Sequence, residues 1–153
     1  MSSQDIRPAT LADEALLRTF VNADDSLKWK RDTNNLISTD QHLAWLHARL
    51  ADPFTRIWII LYDDAQSGQV RLEKKGDFVY LDIYVVVGAR GTGLASFALN
   101  ESIDHYTKLF GSGKFCAIVH PENEISQKLF LKNGFRKDED EKDYWLKFIR
   151  VAG

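Results

Sequence analysis

Apolar residues recur along this chain with two periods, and the switches between them predict most of its elements. Asp5-Ile6-Arg7-Pro8-Ala9 reads as a short edge strand, because Pro8 cannot donate to a ladder. Thr10 is placed to cap a helix in which Leu11, Ala15, Leu16, Phe20 and Val21 share one face. The pattern dissolves from Asn22 to Ser38, a loop long enough to be functional or mobile, with Trp29 inside it. Ser38 or Thr39 with Asp40-Gln41-His42 opens a second helix, which sets Leu43, Leu46, His47 and Leu50 on one stripe with Trp45 beside it and ends at Asp52-Pro53.

Strands follow. Arg56 to Tyr62 is nearly continuously apolar, Asp63 to Ser67 is a turn, Gly68 to Glu73 alternates, and Lys74-Lys75-Gly76-Asp77 is a hairpin turn. Val79 to Val87 is β-branched and aromatic with no breaker, as a buried strand should be. After it come three glycines in six residues, Gly88-Ala89-Arg90-Gly91-Thr92-Gly93, and then a helix whose packed face is Leu94, Ala95, Ala98, Leu99, Ser102, Ile103 and Tyr106. Gly111-Ser112-Gly113 breaks the chain before an apolar strand from Lys114 to His120. A last helix opens at Pro121 to Ser126, runs through Leu129 and Phe130 to Lys132, and is capped by Asn133-Gly134. Phe135 to Lys137 and Tyr144 to Arg150 are strands flanking the charged turn Asp138 to Asp143. Strand, crossover helix, strand requires a parallel pair of right-handed connection. The expected layout is one α/β (α+β) domain over 1–153, a mixed sheet of about seven strands with helices on both faces.

Strand, glycine turn and helix in that order aim free backbone N–H groups and the positive end of a helix dipole at one spot, which suits a phosphate. A dinucleotide fold would place a third glycine where Ser96 stands, and a nucleoside-triphosphate loop would place its lysine where Leu94-Ala95 stands, so both lose their diagnostic residue. The formal charge of −2 gives no general pull toward nucleic acid or an acidic membrane surface, so a phosphate site has to be local. The single Cys116 excludes an internal disulfide and a cysteine-rich zinc site, and its neighbours Phe115, Ala117, Ile118 and Val119 predict core packing. No pair of the four histidines has metal-site spacing, and no metal is expected. Without a charged-then-apolar leader or a run of 18 apolar residues, the expectation is a soluble, cytoplasmic protein.

Arg90, Gly93 and Ala95 satisfy the pattern Arg/Gln-x-x-Gly-x-Gly/Ala at a strand-to-helix junction, and Asn123-x-x-Ser126, Leu129-Phe130 and Asn133-Gly134-Phe135-Arg136 follow after a further strand. Together with the opening Ile6-Arg7-Pro8-Ala9-Thr10, these two signatures resemble the GNAT superfamily of acetyl-CoA-dependent N-acyltransferases over nearly the whole chain. His42 and Trp45 after Ile37-Ser38-Thr39, the run Gly68-Gln69-Val70-Arg71, and Asp140 to Tyr144 further resemble acetyltransferases of nucleotide-linked amino sugars in pathways of the pseudaminic-acid type. The superfamily resemblance implies a sheet splayed between strands four and five, with the pantetheine arm of coenzyme A in the opening. It implies that the backbone of Val85, Val86 and Val87 pairs with pantetheine, that amides from Arg90 through Gly91, Thr92, Gly93, Leu94 and Ala95 hold the pyrophosphate, and that Asn123 bonds the arm, with Ser126 and Phe130 on the same helix. Trp29, His42 and Arg71 would contact the acceptor.

Acetyl transfer from a thioester to an amine needs an unprotonated amine, a donor on the developing oxyanion and a proton for the thiolate. Asp82, on the side of the central strand that carries Tyr80 and Tyr84, is one candidate base, acting through a water because it is a methylene shorter than the family's usual glutamate; Glu73 is the other. The amide of Val85 or Val86 is the candidate oxyanion donor. The family's helix usually offers a tyrosine where this chain has Phe130, so the proton falls to Tyr84, Tyr144, Ser126, His120 or water, or the thiolate leaves unaided. Three functions stay open: N-acetylation of a small amine, the same chemistry on a protein or peptide amine, and a non-catalytic module binding coenzyme A or, through Gly88 to Gly91, single-stranded RNA, which the acidic net charge disfavours. The expected partner is a small-molecule amine, with no nucleic acid and no membrane, and a homodimer is left open.

Overall fold

The computed structural model describes residues 2–29 and 36–153. Seven strands form one sheet in the order β1-β2-β3-β4-β5-β7-β6: β1 Gln4–Pro8, β2 Thr55–Tyr62, β3 Ala65–Lys75, β4 Phe78–Val85, β5 Gly113–Val119, β6 Arg136–Lys137 and β7 Leu146–Ala152. Among the described strands only β4 and β5 pair in parallel, joined through the crossover helix α4, Leu94–Phe110, as strand-helix-strand order requires. The helices α1 (Glu14–Val21), α2 (Asp24–Leu27), α3 (Thr39–Ala51) and α5 (Glu124–Lys132) complete the fold.

The continuous apolar run of β2 is explained by cover on both faces. Trp58 and Ile60 join a core with α4, Phe115, Phe130 and Phe148, while Ile57 and Ile59 join a second core with Leu17 and Phe20 of α1 and Leu46 of α3. β3 is divided by the same period of two. Val70 and Leu72 are fully buried in the first core, whereas Gln69, Arg71 and Glu73 point to the opposite face, where polar side chains are nevertheless largely buried. Buried polar residues on an alternating strand mark the wall of a site.

Several boundaries differ from expectation for local reasons. Asp63 and Asp64 both adopt positive φ, 49° and 66°, which makes a two-residue primed turn and lets β3 begin at Ala65. β4 stops at Val85: the Val86 N–H donates to the Ser67 carbonyl at 2.9 Å, and Val87–Ala89 then curls into a 3-10 turn closed by Ala89 N–H on the Val86 carbonyl. The stretch expected as loop after Asn22 contains α2, and the last strand begins at Leu146 rather than Tyr144. The second helix is capped as expected, with Ser38 Oγ accepting from Gln41 N–H and Gln41 returning to Ser38 N–H. Among the described residues no helix is long and apolar enough to cross a membrane.

Candidate functional site

The parallel junction of β4 and β5 opens almost at once. The two strands pair only at Phe78 with Lys114, Val79 with Phe115 and Tyr80 with Cys116, while β4 continues to Val85 and β5 to Val119. Between the diverging ends lies a channel of about 230 Å³, bounded by β4, by Ala117 to His120, by Asn123 and Ser126 at the start of α5, and by Phe130 further along it. Strand alternation decides which backbone groups face it. Val86 N–H is taken by β3, so the groups of Val85 turn toward the opening, where its carbonyl accepts from Arg90 Nε at 2.9 Å. Of the two amides, that of Val85 and not that of Val86 is left to face the opening, and Val87 is already in the turn.

At the mouth of the channel the glycine turn is shaped by conformation rather than by crowding. Gly91 and Gly93 have φ of +76° and +82°, and a Cβ on either would meet nothing within 4 Å. Arg90 N–H closes on the Val87 carbonyl at 3.2 Å, and Leu94 N–H reaches the Thr92 hydroxyl at 3.4 Å. The first i to i−4 bond of α4 runs from Phe97 N–H to the Gly93 carbonyl, so the amides of Ala95 and Ser96 precede any intrahelical acceptor. A turn with open space above it and first-turn amides ahead of it has the donor set that a diphosphate requires. With its amide closed on Val87, what Arg90 presents at the channel is its side chain. Across the channel, Asn123 caps α5 by accepting Ser126 N–H on Oδ1 at 3.2 Å.

A second, larger cleft of about 1060 Å³ lies on the other side of β4, between the sheet and the helices α1 to α3. Its sheet wall is the polar stripe of β3, Gln69, Arg71 and Glu73, beside Tyr80, Asp82 and Tyr84 of β4; its helical wall carries His42, Trp45 and Trp29. Trp29, Asp82 and Tyr84 border both spaces, so the two meet there.

The candidate bases differ sharply in surroundings. Asp82, about a third exposed, accepts a hydrogen bond from Gln69 Nε2 at 2.9 Å, and Arg71 stands 3.9 Å away. Glu73 is buried and ringed by Lys75 Nζ at 3.0 Å, Arg49 Nε at 3.1 Å and Arg71 Nε at 3.6 Å. Three cations packed on one carboxylate make it a structural anchor. Arg71 also lies over the Trp45 ring, 4.9 Å from its centroid. His42 borders the cleft but is buried, with Nδ1 bonded to Glu14 at 2.7 Å and the ring stacked on Trp45.

Of the proton-donor candidates, Tyr84 directs its hydroxyl to Asp25 at 3.0 Å, and burial followed by that carboxylate pushes its pKa up. Tyr144 is 64% exposed and borders neither space; it packs edge-on to the His120 ring. Phe130 is buried between Phe135 and Phe148. His120 lines the channel, boxed by Trp29, Tyr144 and Trp145, with Nδ1 accepting Glu122 N–H at 3.0 Å. Buried Cys116 has its thiol pushed up to about 11 by burial, consistent with packing. Among the described residues no cluster of three His, Cys, Asp or Glu is placed to hold a metal ion.

Sequence reasoning singled out neither Gln69 nor Asp25. Gln69, buried on a strand directly opposite Tyr84, orients Asp82; its signal was the polar stripe alternating with Val70 and Leu72. Asp25 was hidden in a stretch with no periodicity.

A family model described as acetyltransferase (GNAT) domain matches residues 5–136. Among solved structures, a domain from Methanocaldococcus jannaschii aligns at TM-score 0.85 and 18% identity, covering 99% of this chain and 100% of that one. RimL, a ribosomal alpha-N-protein acetyltransferase in complex with coenzyme A, aligns at TM-score 0.82 and 13% identity over 97% of this chain and 94% of that one. A chimera of the Vibrio cholerae spermidine N-acetyltransferase SpeG with hSSAT aligns at TM-score 0.78 and 15% identity, over 95% and 93%. At such identities the likeness is one of fold. No curated protein sequence matches the chain significantly.

Proposed function

The chain belongs to the GNAT acetyltransferase family, and on that premise we propose that it transfers the acetyl group of acetyl-CoA to a primary amine of a small molecule. The observation that carries this reading is the meeting of two spaces at Asp82, one between the splayed ends of β4 and β5 and one roofed by α1 to α3. The first suits coenzyme A: Val85 offers its amide, the turn from Gly91 to Ala95 suits the diphosphate, and Asn123 and Ser126 border the arm. The acceptor amine enters from the second.

In the step itself the amine nitrogen attacks the thioester carbonyl, forming the C–N bond while the carbonyl electron pair moves onto oxygen, which the Val85 amide receives. Asp82 takes the ammonium proton through a bridging water, and Gln69 fixes the carboxylate. Collapse of the adduct breaks the C–S bond and leaves the electron pair on sulfur. A thiol is acidic enough to leave as thiolate, so a buried Phe130 in place of a tyrosine is tolerable.

The acceptor class follows from the cleft. Its cationic Arg71 and aromatic Trp45 and Trp29 suit a planar or anionic group beside the amine, as a nucleotide-linked amino sugar has. Asp140 to Tyr144, the third part of that finer resemblance, borders neither space, so the support comes from the β3 and α3 residues alone. The test is to incubate the protein with acetyl-CoA and a panel of polyamines, UDP-linked amino sugars and peptides with free N-termini, and to measure thiol release. Release with a small amine is expected. Release with peptides alone would move the reading to a protein or peptide acceptor, and no release beside a retained thermal shift by coenzyme A would leave only a binding module.

A further inference from the structure

Arg90 is held by more than its own turn. Its Nε donates to the Val85 carbonyl at 2.9 Å, its terminal nitrogen pairs with Asp25, and the guanidinium lies over the Tyr84 ring, 5.6 Å from the centroid. Asp25 in turn accepts the Tyr84 hydroxyl on its other oxygen. Both Arg90 and Asp25 border the narrow channel. Asp25 comes from α2, a single turn of helix whose neighbours Ser26 and Trp29 border both the channel and the larger cleft, and Trp29 packs on His120 at the end of β5, with ring centroids 5.0 Å apart. The segment from Asp25 to Trp29 thus crosses the opening, tied to the β4 wall at one end and to the β5 wall at the other.

We propose that Asp25 is an occupant of the donor site, an internal anion that competes with the coenzyme's diphosphate for Arg90. The inference rests on the coenzyme A reading above. The cation that the glycine turn itself carries, Arg90, already has a carboxylate partner in direct contact, well inside the ~10 Å over which charges act at ordinary salt. A diphosphate settling on the turn meets a neutralised arginine and a nearby negative charge. To gain the guanidinium it must displace Asp25, and displacement frees the end of a segment that also walls the acceptor cleft. Donor occupancy is in this way conveyed to the acceptor side through a contact that exists only in the free protein.

The experiment compares Asp25→Asn with the unchanged protein by calorimetric titration of coenzyme A and, separately, of pantetheine, which lacks the diphosphate. The amide still accepts the Tyr84 hydroxyl, so the fold is kept, and a thermal melt checks it. Expected is a dissociation constant for coenzyme A lowered about threefold to tenfold at low salt, a gain lost in an Arg90→Gln background, with pantetheine affinity unchanged, since exposed charge pairs are worth about 1 kcal/mol. Unchanged or weaker coenzyme A binding in Asp25→Asn would show that the carboxylate positions Arg90 rather than competing for it, and overturns the proposal. Equal tightening of pantetheine also overturns it, because the effect would then not act through the diphosphate. Failure of the unchanged protein to bind coenzyme A would instead remove the donor reading itself.

Discussion

The chemistry turns on how two carboxylates of similar intrinsic strength are treated. Glu73 lies in the polar wall with Lys75 and Arg49 at 3.0 and 3.1 Å, while Asp82, one strand over, has an amide donor at 2.9 Å and Arg71 at 3.9 Å. Cations clamped on a carboxylate fix it in the wall, whereas an amide orients it and leaves it facing the cleft. Asp82→Asn should therefore lower kcat by about 10²- to 10⁴-fold, the usual worth of a general base, with the coenzyme A dissociation constant unchanged. Glu73→Gln should show instead as a fall in melting temperature. Rapid kinetics of thiol release with parallel titration of coenzyme A separates the two, and unchanged turnover in Asp82→Asn would hand the proton to water. The sequence placed both acids on the right strands because alternation alone puts Asp82 with Tyr80 and Tyr84. It could not rank them, because the three cations around Glu73 come from α3 and β3, and Arg49 meets it only in the folded chain. Tyr144 was a candidate by type alone, and the fold carries it to the exposed side of His120.

At the scale of elements, the first helix shows how a local signal can be right in position and different in chemistry. Thr10 marks a boundary, but what it opens is a 3-10 turn, Leu11–Asp13, ahead of α1; its own N–H donates to Asp13 at 2.8 Å, and Asp13 is gripped by both terminal nitrogens of Arg7 at 2.8 and 2.9 Å. The Arg7 hydrogen bond, against the opposing pull of burial, holds the Asp13 carboxyl below the usual range. Its folded pKa is thus lower than its unfolded one, so the stabilisation is complete above the unfolded value near 4 and is lost as pH falls through the folded one. Asp13→Asn should cost about 1–2 kcal/mol at pH 7 and nearly nothing once Asp13 is protonated in both states, below the ordinary carboxylate range. Urea midpoints of the two proteins measured from pH 7 downward should converge on the acid side, and a constant gap would mean that the aspartate acts by packing instead. Helices and buried strands were legible because their periods are long. The Asp63-Asp64 turn and α2 were not, since two aspartates at positive φ and a single helical turn carry no periodic signal.

Across the whole molecule the sheet is two halves, β1 to β4 and β5 with β7 and β6, joined at three residue pairs. So short a seam leaves the angle of the opening to be held from elsewhere, and a polar network is placed where it could do so. Arg150 of β7 donates to Asn100 Oδ1 of α4 at 2.7 Å and to the Asn133 carbonyl at 3.1 Å; Asn133, at the end of α5, donates to Ser96 Oγ at 3.0 Å and accepts from Asn100. One half is stapled in this way to the helix that starts at the glycine turn. None of the four borders either space. The parallel pair was legible from strand-helix-strand order and the splay only by family resemblance; the staple joins residues 96, 100, 133 and 150, which no pattern connects. Arg150→Ala removes both of its charge-assisted bonds and leaves two partly buried acceptors, about 2 kcal/mol, and should lower the melting temperature by roughly 4–8 °C. If the staple also holds the opening at the width that the coenzyme needs, the variant binds coenzyme A severalfold more weakly at a temperature where it is still folded, although no atom of Arg150 touches the channel. Titration at 15 °C, with circular dichroism confirming the fold, reads this directly. An unchanged dissociation constant in a destabilised but folded variant would show that the three pairs of the seam set the width alone.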